Sequence, residues 1–207
     1  MEQRRMPFLI DQIRGVSYKP TDLHDNSDAD SITLLRANNI DDGKINFDDV
    51  VYVDRKCVSK SQMLRRGDIL ICASSGSRNL VGKAAQVDFE GEYTFGAFCK
   101  VVRPKLMSDA GYIGMFFQSP FYRRTIAEKA QGININNIRG EHIDSMNLRW
   151  PDEVDRQKAV ETYQVLRDCI RLRQCQLHTL DTLIKARFVE MFGDPEYNNK
   201  EIGRAHV

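Results

Sequence analysis

Residues 151–195 read PDEVDRQKAVETYQVLRDCIRLRQCQLHTLDTLIKARFVEMFGDP. From Asp152 to Phe192 there is neither Gly nor Pro, the two residues that most penalise a helix interior. Asp152, Glu153 and Asp155 occupy the first turn, where the positive end of the helix dipole favours carboxylates. Tyr163, Leu166, Ile170, Arg173, Leu177, Leu180, Ile184, Arg187 and Met191 follow in alternating steps of three and four. All but the two arginines are apolar, so these positions form a heptad seam. Gly193, Asp194 and Pro195 then supply a stop. At 1.5 Å per residue such a helix is roughly 60 Å long. A seam of that length exceeds what one small domain covers. The expectation is a helix that projects and packs against another helix, with Arg173 and Arg187 setting register. The alternative is a C-terminal helix folded back on the core.

Upstream of Trp150 the chain has another character. Ser31 to Arg36, Val50 to Val53, Asp68 to Ala73 and Gly96 to Val102 are short β-rich runs. Asp41-Asp42-Gly43-Lys44 reads as a turn, and Ser74 to Asn79 as a polar loop after a strand. Between Tyr112 and Gln131 the period becomes helical, with Ile113, Phe116, Phe117, Tyr122 and Ile126 on one side. Residues 1–150 are therefore expected to form a β-rich mixed domain with mainly antiparallel sheet. With the helix at 151–193, the fold class is α+β.

Composition narrows the function. The 207 residues are 42% hydrophobic and 29% charged, the balance of a globular protein, and the net charge is +1. No apolar run approaches the roughly 18 residues a membrane span needs, and Met1 to Arg5 lacks a following apolar stretch, so neither membrane insertion nor export is expected. Cys57, Cys72, Cys99, Cys169 and Cys175 are scattered, as are His24, His142, His178 and His206. None has zinc-ligand spacing, and the cysteines read as reduced thiols of a cytoplasmic protein.

Catalytic motifs fail on inspection. Between Gly76 and Gly82-Lys83 five residues intervene, and Ala84 stands where a P-loop needs Ser or Thr. Asp194-Pro195-Glu196-Tyr197 has a faint likeness to an amino-methyltransferase motif but no Gly-rich cofactor turn precedes it. Asp54-Arg55-Lys56 contains the Asp-x-Lys half of a nuclease site without a well-placed preceding acid. No metal, cofactor or catalytic residue is assigned. What remains is a set of bases interleaved with amides and hydroxyls: Arg36 with Asn38-Asn39, Ser74 to Asn79 with Lys83, Arg123-Arg124, and Asn134 to Arg139. Arg and Lys neutralise phosphates, while Asn and Arg can contact purine edges bidentately. The alternative is a set of solvated loops.

The order of the motifs resembles the specificity subunit of type I restriction-modification systems from about Ile10 to Pro195. The resemblance rests on Ile13-Arg14-Gly15-Val16-Ser17-Tyr18, Leu35-Arg36-Ala37-Asn38-Asn39-Ile40 and Gly67-Asp68-Ile69-Leu70-Ile71 leading into Ser74-Ser75-Gly76-Ser77. It continues through Gly132-Ile133-Asn134-Ile135-Asn136-Asn137-Ile138 and closes on Leu183-Ile184-Lys185-Ala186-Arg187-Phe188-Val189-Glu190-Met191-Phe192-Gly193-Asp194-Pro195. The usual member has a Pro-Pro-Leu-Glu-Gln-like helix start and two recognition domains; this chain keeps only the outline of the first and carries one domain.

The resemblance implies a division of labour. Residues 1–150 would be a DNA target-recognition domain reading one half of a bipartite site. Residues 151–193 would be a conserved-region helix, a spacer and docking rod. The implied partners are double-stranded DNA, modification (methyltransferase) subunits, a restriction subunit, and a second recognition half in cis or as a homodimer. The chain itself would be non-catalytic, with S-adenosylmethionine, ATP and Mg in the partner subunits. Residues 194–207 would begin a truncated segment. Glu201 to Val207 match the in-frame product of a common sequencing adapter and are expected to be an artefact.

On this reading the DNA face comprises Tyr18, Lys19, Arg36, Asn38, Ser75, Ser77, Arg78, Asn79 and Lys83. The argument starts from the Ser74–Asn79 loop, where Gly76 allows close backbone approach and the serines can donate to phosphate. The opposing expectation is a tight turn whose hydroxyls bond its own backbone. Helix pairing is assigned to Tyr163, Leu166, Ile170, Leu177, Leu180, Ile184 and Met191. The rival class is a coiled-coil protein-interaction module with no DNA role.

Overall fold

A computed structural model describes residues 2–77, 79–129 and 136–193. The chain opens with β1 (Glu2–Arg5) and the one-turn helix α1 (Met6–Leu9). Then come β2 (Ile10–Arg14), β3 (Leu23–His24), β4 (Ser31–Leu35), β5 (Ile40–Asp41), β6 (Lys44–Ile45) and β7 (Val51–Asp54). β8 (Ile69–Cys72), β9 (Ser74–Ser75), β10 (Ala84–Gln86), β11 (Tyr93–Phe95) and β12 (Cys99–Pro104) follow. The remainder is α2 (Ala110–Phe117), α3 (Pro120–Lys129), β13 (Asn136–Asn137), α4 (Gly140–Asp144), β14 (Asn147–Trp150) and α5 (Glu153–Phe192). The fold is α+β.

Two four-stranded sheets carry the first part, in the orders β10-β8-β12-β2 and β11-β4-β7-β3. The central strand β8 is buried throughout, and its period of two divides the core. Ile69 and Ile71 pack with Val102, Ile113, Phe117, Tyr122 and Ile126 on the helical side. Leu70 and Cys72 pack with Val101, Phe95 and Leu35 on the other. A strand buried on both faces reads as a continuous apolar run rather than an alternating one, which is how Ile69-Leu70-Ile71-Cys72 stands in the sequence. Among the described residues, pairing is antiparallel except for β11 with β4 and the isolated bridge of Val16 with Gly96.

Two sequence expectations need correction, and one segment is newly assigned. The strand expected at Gly96 to Val102 begins at Cys99, because Cys99 N–H donates to the Gly96 carbonyl and makes residues 96–98 a turn. The helical stretch is two helices: Pro120 opens the second, and the Ser119 hydroxyl accepts from Tyr122 N–H at 3.2 Å. The N-terminal residues, unassigned from sequence, form a strand paired with β14. Arg4 and Arg156 both lie over the Trp150 ring, at 5.1 and 4.4 Å.

Contacts divide the chain into Met1–Val160 and Glu161–Val207. Helix α5 is continuous over 40 residues. Asp152 caps it by accepting from Asp155 N–H at 2.9 Å. Gly193 ends it in the left-handed region (φ 86°) with its N–H on the Val189 carbonyl. None of the helix residues is buried. Of the assigned pairing positions, Leu166, Ile170, Leu177, Leu180, Ile184 and Met191 are all more than half exposed. Arg173 donates to Gln176 and Arg187 pairs with Glu190 on the same helix. Residues 194–207 lie outside the described residues.

Candidate functional site

The ends of β2, β4, β8 and β11 and the start of β12 converge on a groove of about 750 Å³. Four segments line it together with Pro20 and Leu23: Val16 to Tyr18, Arg36 to Asn38, Ser74 to Gly76, and Gly96 to Cys99. Backbone contact holds the first to the last, since Val16 N–H donates to the Phe95 carbonyl at 2.8 Å. Gly96 N–H in turn donates to the Leu35 carbonyl at 3.0 Å, tying in the second sheet. Any side chain at Gly15 would collide with this junction.

Four of the nine sequence-assigned DNA-face residues line the groove: Tyr18, Arg36, Asn38 and Ser75. Lys19 is the exposed neighbour of Tyr18, with its N–H donated to Asp22. Ser77 and Asn79 are exposed on the loop beyond the groove, and Lys83 is half-buried where that loop returns to β10. Arg78 lies outside the described residues. The loop does bond its own backbone, as Ser77 N–H donates to the Ser75 hydroxyl at 3.1 Å. Asn79 and Val81 give their carbonyls to the Arg123 guanidinium. Arg123 thus braces this loop.

The Arg36–Asn39 segment is a single turn of 3₁₀ helix. Asn39 is wholly buried beneath it, accepting from Arg36 N–H and donating to the Asp48 carbonyl, both at 2.8 Å. Above it, Asp49 accepts from Arg36 Nη2 and Asn38 Nδ2. Sequence reading missed Asp49 and Phe98. Phe98, taken as strand interior, is 70% exposed on the groove wall, beside Tyr18. Its neighbour Cys99 and the facing Cys72 are buried thiols whose pKa values burial raises, so this wall stays neutral. Nothing in the sequence pattern of Asp48-Asp49 marks it off from any polar turn.

The groove thus offers aromatic faces, hydroxyls, a guanidinium and an amide. Asp54-Arg55-Lys56 is used structurally: Asp54 accepts from Lys56 N–H at 2.8 Å, and Arg55 makes a two-point contact with Glu92. Among the described residues, no three His, Cys, Asp or Glu side chains are grouped to hold a metal ion.

No family model matches the chain. Curated proteins do. It is 35% identical over 173 residues to the type I restriction enzyme StySPI specificity subunit of Salmonella potsdam, covering 84% of this chain and 37% of that protein. It is 38% identical over 154 residues to the EcoKI specificity subunit of Escherichia coli K12, covering 74% and 33%. The chain belongs to the type I restriction specificity subunits.

This specificity-subunit chain spans about a third of the length of those relatives. Solved structures agree on the fold. A chain from work on complex assembly and conformational transition of the type I R-M system matches with TM-score 0.64 at 16% identity, over 89% of this chain and 43% of that one. The HsdS subunit of Thermoanaerobacter tengcongensis matches at 0.59 and 15% identity, over 84% and 39%. The S subunit of M. genitalium matches at 0.59 and 11%, over 97% and 48%.

Proposed function

We propose that residues 1–150 read one half of a bipartite duplex DNA sequence, and that residues 151–193 serve as the spacer and docking rod of the complex. One observation carries this reading: in a specificity-subunit chain, Tyr18, Arg36, Asn38 and Ser75 come from separate segments and share one groove. Arg36 and Asn38 are the base-edge contacts, and Tyr18 and Ser75 contact sugar or phosphate. Lys19, Ser77 and Lys83 contact the DNA backbone, and Arg78 and Asn79 are also assigned to base edges. The chain catalyses nothing itself and works in the cytoplasm. Modification subunits supply the S-adenosylmethionine chemistry, a restriction subunit brings ATP and Mg, and a second recognition half joins in cis or as a homodimer along the α5 seam.

Duplex binding followed against salt tests this. Neutralised phosphates make log K fall linearly with log salt. Lys83→Ala should weaken all sequences alike and shrink the slope by about one. Arg36→Ala and Asn38→Ala should each cost roughly 1–3 kcal/mol on a selected duplex and relax one base pair. Salt-insensitive binding with no enriched sequence would instead favour the coiled-coil interaction module.

A further inference from the structure

Asp49 occupies a position that DNA-contacting side chains alone do not explain. Its Oδ2 accepts from Arg36 Nη2 at 2.8 Å and from Asn38 Nδ2 at 3.0 Å. Its backbone carbonyl accepts from the same Nη2 at 2.9 Å. Asp49 adopts φ 52°, a left-handed conformation that Asp tolerates better than most residues. Beneath it, buried Asn39 clamps the Arg36 turn to Asp48, so donor and acceptor segments are fixed to each other. Arg36 Nε is buried with no hydrogen-bond partner among the described residues, so the guanidinium is held through Nη2.

This geometry decides which atoms are offered to a ligand. With Nδ2 turned to Asp49, Asn38 presents Oδ1 and its second amide hydrogen. An acceptor beside a donor is what adenine N6–H and N7 require in the major groove. The opposite amide orientation would put Oδ1 against the carboxylate, which repels it. Asp49 is itself exposed and negative, so it also opposes the phosphate attraction that drives non-specific binding. Discrimination gains from such a repulsive element as much as from new contacts.

We propose that Asp49 is the positioning residue that sets base specificity on this surface: it orients Asn38 toward adenine, holds Arg36 beside it and lowers affinity for DNA at large. The proposal rests on the DNA-reading function above.

A pool of randomised duplexes, selected by the full chain and sequenced, tests it. The wild-type chain should select a motif with adenine preferred about tenfold at one position. Asn38→Ala should lose that position alone. Asp49→Gly tolerates the positive φ and lacks the acceptor. It should lose the same position, keep the others and bind unselected duplex more tightly. Asp49→Asn retains an acceptor, so it should keep the adenine preference while steepening the salt slope by about one. Folded Asp49→Gly selecting the wild-type motif, or changing a different position from Asn38→Ala, overturns the proposal. An unchanged salt slope in Asp49→Asn overturns it independently, even if the glycine variant does not fold. If the wild-type chain selects no motif, the DNA-reading function itself fails and this proposal with it.

Discussion

A Cβ built on Gly15 would lie 2.0 Å from the carbonyl oxygen of Gly96. The two glycines let the segment after β2 run against the turn before β12, and that approach brings Tyr18 and Phe98 onto one groove. The obstacle is backbone, which cannot swing aside as a side-chain end can. Gly15→Ala should therefore lower stability by roughly 1–3 kcal/mol, as overpacking does, and weaken duplex binding with it. Gly76→Ala is the control: an added Cβ there meets nothing within 4 Å, and stability should stay within about 0.5 kcal/mol of wild type. Urea unfolding of both variants checks the pair, and equal midpoints would rule out the close approach as a constraint.

Asp68 and Arg103 form a two-point ion pair at 2.8 Å in the interior, with side-chain exposures of 1% and 13%. Asp68 also accepts from Arg65 N–H, and Arg103 donates to the carbonyls of Ser61 and Met63. Arg103→Met should cost roughly 3–5 kcal/mol, because it strands a buried carboxylate. Arg55→Met removes an exposed pair with Glu92 and should cost under about 1 kcal/mol. Thermal melts of the two variants give the ranking, and a reversed order would show that the interior pair is not sustaining the fold.

On α5, Leu177 and Leu180 are 63% and 54% exposed within a run of apolar seam positions. Such a surface does not stay uncovered in water. The chain alone should self-associate at micromolar concentration, and Leu177→Lys with Leu180→Lys should shift it to monomer while leaving far-UV dichroism unchanged. Sedimentation velocity reads the outcome; a wild-type chain that stays monomeric refutes it.

His142 accepts from Arg139 N–H through Nδ1 at 3.3 Å at the start of α4. Burial holds its pKa below the ordinary 6.5; Glu141 opposes the shift, and Arg139, Lys129 and Lys100 add to it. The unfolded chain thus takes up this proton more readily than the folded one. The contribution is complete above the unfolded value and is lost as pH falls through the window beneath it. Stability should drop as pH falls from neutral through the ordinary histidine value of 6.5 and below it, and less so in His142→Asn, measured as urea midpoints from neutral to mildly acidic pH. Parallel profiles for the two proteins would assign the acid sensitivity elsewhere.

Much of this architecture is written in local pattern. The seam from Tyr163 to Met191 and the Gly193 stop need only helical periodicity and a capping rule, and the helix runs from Glu153 to Phe192 accordingly. Ser31 to Leu35, Ile69 to Cys72 and the apolar positions from Ile113 to Ile126 announce themselves by β-branching or by a shared face. Strand β1 escaped notice because Glu2-Gln3-Arg4-Arg5 has no apolar alternation. Its exposed residues need none, because the strand is specified by its partner β14, more than 140 residues away.

The site is different in kind. Arg36, Asn38 and Ser75 attract attention in the sequence as side chains suited to a polyanion, but nothing there says they meet. Phe98 reads as strand interior and stands exposed, because one hydrogen bond from Cys99 to Gly96 turns the chain three residues late. Asp49 reads as one more turn acid, and becomes the acceptor for Arg36 and Asn38 only because buried Asn39 ties its neighbour to the Arg36 turn. Periodicity and propensity act over a few residues, so the chain alone specifies its helices and strands. Convergence of residues 18, 36, 49, 75 and 98 is set by sheet order, by a glycine contact and by one buried amide, which exist only once the strands have paired.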